Sequence, residues 1–174
     1  MFVPDFDNVC LILHLYNIFM PRRIFIPNSF YHVYNRGNRK YKVFTQQSDY
    51  FRFTNTMFRL KKEYSFSIYS FCLMPNHFHL LVNTGSKPGE LSKFMHRLMT
   101  SYTKYFNKRY GLVGHLFQGN YKSRYVTKER GVKMVSEYIR GNPIKAGIVT
   151  QIECYKWYKE LSLEAKNIDI IEQF

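Results

Sequence analysis

The sequence predicts an α+β domain: an antiparallel sheet with helices packed on one face. Three observations carry that prediction. Segments of period-two alternation interleave with segments whose apolar residues recur every three or four positions, in the order strand, helix, strand, strand, helix, strand, helix. Short turn signals separate them, with no internal repeat and no low-complexity tract. At 174 residues and 45% hydrophobic side chains, the chain can build one real core without disulfides or a structural metal.

Each element has its own signal. Ser29-Phe30-Tyr31-His32-Val33-Tyr34-Asn35 alternates and is rich in β-formers, then stops at Arg36-Gly37-Asn38-Arg39. Ser48 or Asp49 caps a helix expected to run to about Glu63, with Phe51, Met57, Phe58 and Leu60 among its apolar positions. Ser65 to Leu73 reads as a strand, Met74-Pro75-Asn76 breaks it, and His77 to Asn83 reads as another. Residues 84–89 form a loop. Glu90 to Tyr110 is the clearest helix, through Leu91, Phe94, Met95, Leu98, Tyr102, Tyr105 and Phe106. On its opposite face fall Lys93, Arg97, Lys104 and Lys108, and Gly111 ends it. His115 to Val126 is strand-like and carries Lys122 and Arg124. Thr127 opens a last helix to about Arg140, which Gly141-Asn142-Pro143 is expected to stop.

Charge is unevenly placed. Of 26 Lys and Arg residues, 23 lie within 21–150, against 5 of the 12 acids, for a local net charge of +18. A segment that basic points to a polyanion, most often nucleic acid, over mere solubilisation or an anionic membrane surface. Cys10, Cys72 and Cys154 are odd in number and widely spaced, so neither a disulfide scaffold nor a Cys-based zinc finger is expected, and a reducing, cytoplasmic setting is. Residues 9–20 are apolar but hold His14 and Asn17, and are too short to span a membrane; the acidic start is the reverse of a secretory signal. Residues 1–19 are therefore expected to be an appended segment, 20–150 the domain, and 151–174 a C-terminal tail.

Two places suggest chemistry. In a strand, His77 and His79 share a face while Phe78 points into the core, so the two imidazoles could chelate a metal; a bare pair of surface histidines is the plainer alternative. Tyr138 and Asn142 lie four apart, on one side of a helix end, and Asn142 precedes a proline and so is expected to leave helical geometry. Alone, each of these also reads as core packing or a helix cap.

Taken together, the motifs resemble the single-tyrosine HUH transposases, most closely the REP-associated tyrosine transposases. The likeness runs through Ile24-Phe25-Ile26-Pro27, Tyr31-His32-Val33 with Arg36-Gly37-Asn38, Met74-Pro75-Asn76-His77-Phe78-His79, Gly114 to Ser123, and Tyr138 to Gly147. It covers about residues 20–150 in the family's order. The resemblance implies a ferredoxin-like HUH endonuclease domain in which His77 and His79 hold a divalent metal, Asn142 fills the third-ligand position and Tyr138 is the nucleophile. It further implies cleavage and rejoining of single-stranded or hairpin DNA through a 5′-phosphotyrosine, with Mg²⁺ or Mn²⁺, in a homodimer associated with the nucleoid. Imidazole ligands favour a transition metal, which is the reason for naming manganese beside magnesium. Lys93, Arg97, Lys104, Lys108, Lys122 and Arg124 are the expected DNA contacts, since single strands bind where basic side chains track phosphates and rings stack on bases. A catalytically retired DNA-binding regulator of the same fold is the alternative reading. A zinc hydrolase is a poorer one, because no Asp or Glu lies beside the histidines to act as base.

Overall fold

The computed structural model of the chain describes residues 23–161. The N-terminal segment 1–19 lies outside the described residues, as does most of the expected tail. Five strands form one antiparallel sheet: β1 (Phe30–Arg36), β2 (Ser67–Met74), β3 (His77–Asn83), β4 (Lys122–Val126) and β5 (Tyr158–Glu160), in spatial order β4-β1-β3-β2-β5. Three helices accompany it: α1 (Gln47–Lys61), α2 (Gly89–Tyr110) and α3 (Lys128–Lys145). The expected α+β class and antiparallel sheet are the architecture observed.

The strands divide the molecule into two unlike faces, because neighbouring side chains along a strand point opposite ways. On one face, Val33, Phe78 and Leu80 are fully buried under α1 and α2. Phe53 of α1 meets Phe78 at 5.2 Å between ring centroids and Tyr102 of α2 at 5.1 Å. Such aromatic contacts add to the area already buried. The other face carries His32, Tyr34, His77 and His79 and receives α3, whose Tyr138 ring reaches His32 and His79. The expectation that all helices share one face therefore holds for α1 and α2 only. The α3 helix turns Ser136, Ile139 and Pro143 inward at helical spacing, and Ser136 Oγ donates to Glu160 on β5 at 3.0 Å. Among the described residues, no helix is long and apolar enough to cross a membrane.

Four local expectations are corrected. First, α1 is capped neither by Ser48 nor by Asp49. Gln46 is the capping residue, and Asp49, one turn in, reaches back so that its Oδ2 accepts the backbone N–H groups of Thr45 and Gln46, each at 2.9 Å. Second, only residues 122–126 of the strand-like stretch 115–126 form a strand of the sheet, while Phe117 makes an isolated antiparallel bridge with Gly37. Gly119, at φ +80°, breaks the extended run, and residues 115–118 fold over the end of β1, where Gln118 N–H donates to the Arg36 carbonyl at 2.8 Å. Third, α3 runs straight through Gly141-Asn142-Pro143 to Lys145 and stops at Gly147, at φ +67°. Asn142 thus stays helical, since Pro143 removes a single N–H while Ala146 N–H still reaches the Asn142 carbonyl at 3.0 Å. Fourth, residues 151–161 of the expected tail belong to the fold. Here β5 pairs with β2, Trp157 stacks on Tyr50 at 4.5 Å, and Tyr155 donates to the buried Leu73 carbonyl at 2.6 Å.

Asp49 joins α1 to α2. Its side chain is fully buried, accepts Tyr110 Oη at 2.7 Å and Tyr105 Oη at 3.1 Å, and lies 3.7 Å from Arg109. Burial pushes its pKa up, but the Gln46 N–H, the Tyr110 hydroxyl, the Thr45 N–H and the Tyr105 hydroxyl together hold it below the usual carboxylate value. A depressed folded pKa contributes stability above the unfolded value, which is lost as pH falls through the folded one. Asp49→Ala should therefore lower unfolding free energy by on the order of 3 kcal/mol at neutral pH, and Tyr110→Phe by about 1 kcal/mol. Denaturant titration checks both, and a loss below that of Tyr110→Phe in Asp49→Ala would remove the carboxylate from this role.

Candidate functional site

The site forms where β1, β3 and β4 lie side by side under α3. Pairing of β1 with β3 sets Tyr34 opposite His79 and Arg36 opposite His77; pairing of β1 with β4 sets His32 opposite Arg124 and Tyr34 opposite Lys122. Since side chains at directly paired positions point the same way, His32, Tyr34, Arg36, His77, His79, Lys122 and Arg124 lie on one face. Above them, α3 carries Tyr138, whose ring stands edge-on to His79 at 5.6 Å and to His32 at 5.9 Å. A cleft of about 380 Å³ lies between Arg36, Asn76, His77, Gln118, Lys122 and Tyr138. A second cavity, of about 530 Å³, continues past Tyr138 toward Arg124 and Met134.

The two histidines are not a surface pair. His79 is 6% exposed, and its ring centroid lies 4.9 Å from that of His77. Burial, then the neighbouring His32 and His77, push the His79 pKa down to about 2. Burial and Arg124 push His32 down to about 4. His77 is lowered by burial and Arg36, against an opposing hydrogen bond with Asn142. All three rings are therefore neutral at pH 7, the form in which imidazole has a lone pair to give. Each expected ligand also has a partner on its Nδ1: Asn76 Oδ1 at 2.6 Å for His77, His32 Nε2 at 2.8 Å for His79.

Asn142 and Tyr138 face this pair from successive turns of α3. Asn142 Nδ2 donates to the Tyr138 carbonyl at 2.8 Å, and the same amide is a hydrogen-bonding partner of His77. With Nδ2 so held, Oδ1 is the amide atom with lone pairs to offer. The residues present thus fit a cation: two neutral imidazoles and an amide oxygen, a set that leaves positions for phosphate oxygens and water. Among the described residues, no group of three or more His, Cys, Asp and Glu side chains makes a metal site. Tyr138 is 46% exposed, with the Lys145 ammonium 5.6 Å from its ring centroid. The tyrosines of α2 are otherwise employed: Tyr102 is fully buried and donates to the Val43 carbonyl at 2.6 Å, while Tyr105 and Tyr110 hold Asp49.

The structure thus brings together His77, His79, Tyr138 and Asn142, with Lys122 and Arg124 at the rim. It does not bring the α2 stripe to them. Lys93 and Lys104 line a separate groove of about 1040 Å³ on the α2 side of the sheet, together with Arg23, His96 and His115. Arg97 is bound to Glu63 and donates to Tyr64 Oη at 3.0 Å, tying α2 to the end of α1. Lys108 sits in the exposed last turn of α2. Helical spacing groups these side chains but says nothing about the far face of the sheet. Sequence reasoning also missed His32, Tyr34, Arg36, Asn76 and Gln118. The alternation of β1 already puts 32, 34 and 36 on one face; what was lacking was the pairing that turns this face toward His77 and His79.

No curated protein matches this chain. A solved REP-associated tyrosine transposase bound to a REP hairpin aligns with TM-score 0.64 at 19% identity over 79% of each chain, a likeness of fold. A candidate transposase from Deinococcus radiodurans R1 aligns over 68% of this chain and 93% of its own, at 13% identity and TM-score 0.46. The family model described as "Transposase IS200 like" matches residues 26–142, which reach from just before β1 to Asn142 of α3. With more than half of its length so matched, the chain belongs to the IS200-like transposase family.

Proposed function

We propose that this protein cleaves and rejoins single-stranded DNA, including strands presented by a hairpin, with Tyr138 as the nucleophile. The observation that carries the reading is the setting of Tyr138: a solvent-reachable phenol edge-on to His79, in a cleft rimmed by Arg36, Lys122 and Arg124. Tyr138 Oη forms a bond to the scissile phosphorus as the bond from phosphorus to the 3′ oxygen breaks. The phenolic proton passes to solvent and the 3′ oxygen takes one up, leaving a 5′-phosphotyrosine and a 3′-hydroxyl. One phosphodiester replaces another, so attack by a 3′-hydroxyl reverses the step and rejoins the strand.

A phenol with a pKa near 10 is a weak nucleophile at pH 7, so charge on the phosphate must be offset. His77, His79 and Asn142 would hold a divalent cation, magnesium or manganese, which when bound would supply Lewis-acid neutralisation of the phosphate and of the departing oxygen. The protein's own share is orientation. The edge contacts with His32 and His79 fix the Tyr138 ring, and Arg36 and Lys122 offer charge to the strand within the cleft that Tyr138 lines.

Tyr138→Phe removes only the hydroxyl. It should bind labelled single-stranded DNA as the wild type does, yet form neither a covalent adduct nor a nick, with the wild-type adduct located on the 5′ side of the break by mass spectrometry. Nicking without an adduct in Tyr138→Phe would favour an activated water and sink the proposal. Wild-type binding with no cleavage at all would instead support a retired regulator.

Charge at the cleft rim predicts the salt response of binding. Each phosphate neutralised on a single strand contributes about 0.7 to the slope of log affinity against log salt. Lys122→Gln with Arg124→Gln should flatten that slope by up to about 1.4. Lys93→Gln with Lys104→Gln should leave it closer to wild type, because these residues line the groove on the other side of the sheet. Fluorescence anisotropy over a salt series checks both, and the opposite ranking would move the strand to the α2 groove.

A further inference from the structure

We infer that Asn76 and His32 are positioning residues that hold His77 and His79 in one and the same tautomer, proton on Nδ1, leaving both Nε2 lone pairs free for a cation. The inference rests on the reading of these two histidines as ligands and adds the device that makes them so.

For His77 the hydrogen bonds determine the tautomer. The Asn76 amide cannot turn freely, because its Nδ2 donates to the Lys40 carbonyl at 3.3 Å. That leaves Oδ1, an atom that can only accept, 2.6 Å from His77 Nδ1. The Asn142 amide is the competing partner of this ring, and the 2.6 Å bond at Nδ1 favours the proton there and the lone pair on Nε2. The Lys40 carbonyl is itself built into position. Residues 38–40 form a tight turn with Arg39 and Lys40 at φ +52° and +63°, strained values for side-chain-bearing residues. The turn is pinned to Asn76 by Gly37 N–H donating to the Asn76 carbonyl at 2.8 Å, and to Pro75 by the N–H groups of Val43 and Phe44 at 2.8 and 3.0 Å. Gly37 has no room for a side chain, since a Cβ there would lie 2.1 Å from the Tyr41 carbonyl oxygen. The separated motifs Arg36-Gly37-Asn38 and Met74-Pro75-Asn76 thus form one hydrogen-bonded unit, whose product is an oriented amide oxygen beside His77.

For His79 the partner is a second ring. His32 Nε2 lies 2.8 Å from His79 Nδ1, and both rings are buried, so a single proton is shared between two neutral imidazoles. If His32 donated, His79 would carry its own proton on Nε2 and could not bind a cation through that atom. If His79 donates, Nε2 is free, as in His77. An imidazole ligand whose other nitrogen is held by a protein acceptor is the usual arrangement around bound metals. The two histidines do not share an acceptor: the fold supplies two, Asn76 from the β2–β3 turn and His32 from β1.

Long-range ¹H–¹⁵N correlation on metal-free, histidine-labelled protein at neutral pH reads both tautomers directly. The expected result is Nδ1–H on His77 and on His79; Nε2–H on either ring would overturn the inference. Asn76→Leu should free His77 from its Nδ1–H form and weaken Mn²⁺ binding, titrated by electron paramagnetic resonance, by about 10–100-fold. Asn76→Asp keeps an acceptor and should retain both properties, and His32→Phe should act on His79 as Asn76→Leu does on His77. Thermal melts of each variant separate this role from a structural one: a lowered melting temperature with wild-type tautomers and wild-type Mn²⁺ affinity would overturn the inference. The readout needs no DNA. Tautomers as stated without a Tyr138 adduct would sink the reaction and leave this inference standing, and wrong tautomers with an intact adduct would do the reverse.

Discussion

The register of β1 against β3 is the constraint on which the rest depends. With Tyr34 opposite His79 and Val33 opposite Leu80, one face of the pair is apolar and the other holds imidazoles, a phenol and a guanidinium. A slip of one residue would invert this, sending His77 and His79 under α1 and α2 and Phe78 and Leu80 into the cleft. Burial of Val33, Phe78 and Leu80 makes such a slip costly, at roughly 1.5–3 kcal/mol for each large apolar side chain displaced. Backbone bonds fix both ends of the pair: Gly37 N–H to the Asn76 carbonyl at one, Thr84 N–H to the Ser29 carbonyl at the other.

The two faces divide labour. Under α1 and α2 the core is a lattice of rings, from Phe44, Tyr50 and Phe53 through Tyr102 and Phe106, stiffened where Asp49 gathers two N–H groups from the entrance to α1 and two hydroxyls from α2. The opposite face is covered more thinly, by one helix that buries Ser136, Ile139 and Pro143 and leaves Tyr138 near half exposed. A rigid face behind and a shallow polar cleft in front is the arrangement that positioned catalysis needs, since ligands on a packed strand keep their geometry while substrate still has access. The surplus of positive charge, distributed over both sides of the sheet, draws a polyanion to the protein without itself choosing the cleft.

The helix α3 joins the parts of the site. Its continuity through Pro143 keeps Asn142 one turn below Tyr138, so both side chains reach the histidine face from a single helix. Had the helix ended at Arg140, as the Gly-Asn-Pro signal suggests, the amide would have rested on a turn with its own freedom.

The sequence by itself determined the element order, the strand His77–Asn83, the long amphipathic α2 and, through four co-linear motifs, the family and the residues at the centre of the site. These are local: alternation, helical spacing and motif order are written along the chain. The tertiary structure alone decided what touches what across it. It placed β5 and Trp157 inside the fold, because a three-residue strand carries no periodicity to read and gains its stability by pairing with β2 and stacking on Tyr50. It separated Lys93 and Lys104 from the cleft and spent Arg97 on Glu63, because a helical wheel orders one helix and ignores which side of the sheet it covers. It set His32 against His79 across 47 residues of chain, and it let the Lys40 carbonyl fix the amide of Asn76. Hydrogen bonds between residues so far apart leave no trace in spacing, because only the folded chain brings their atoms within 3 Å or so of one another.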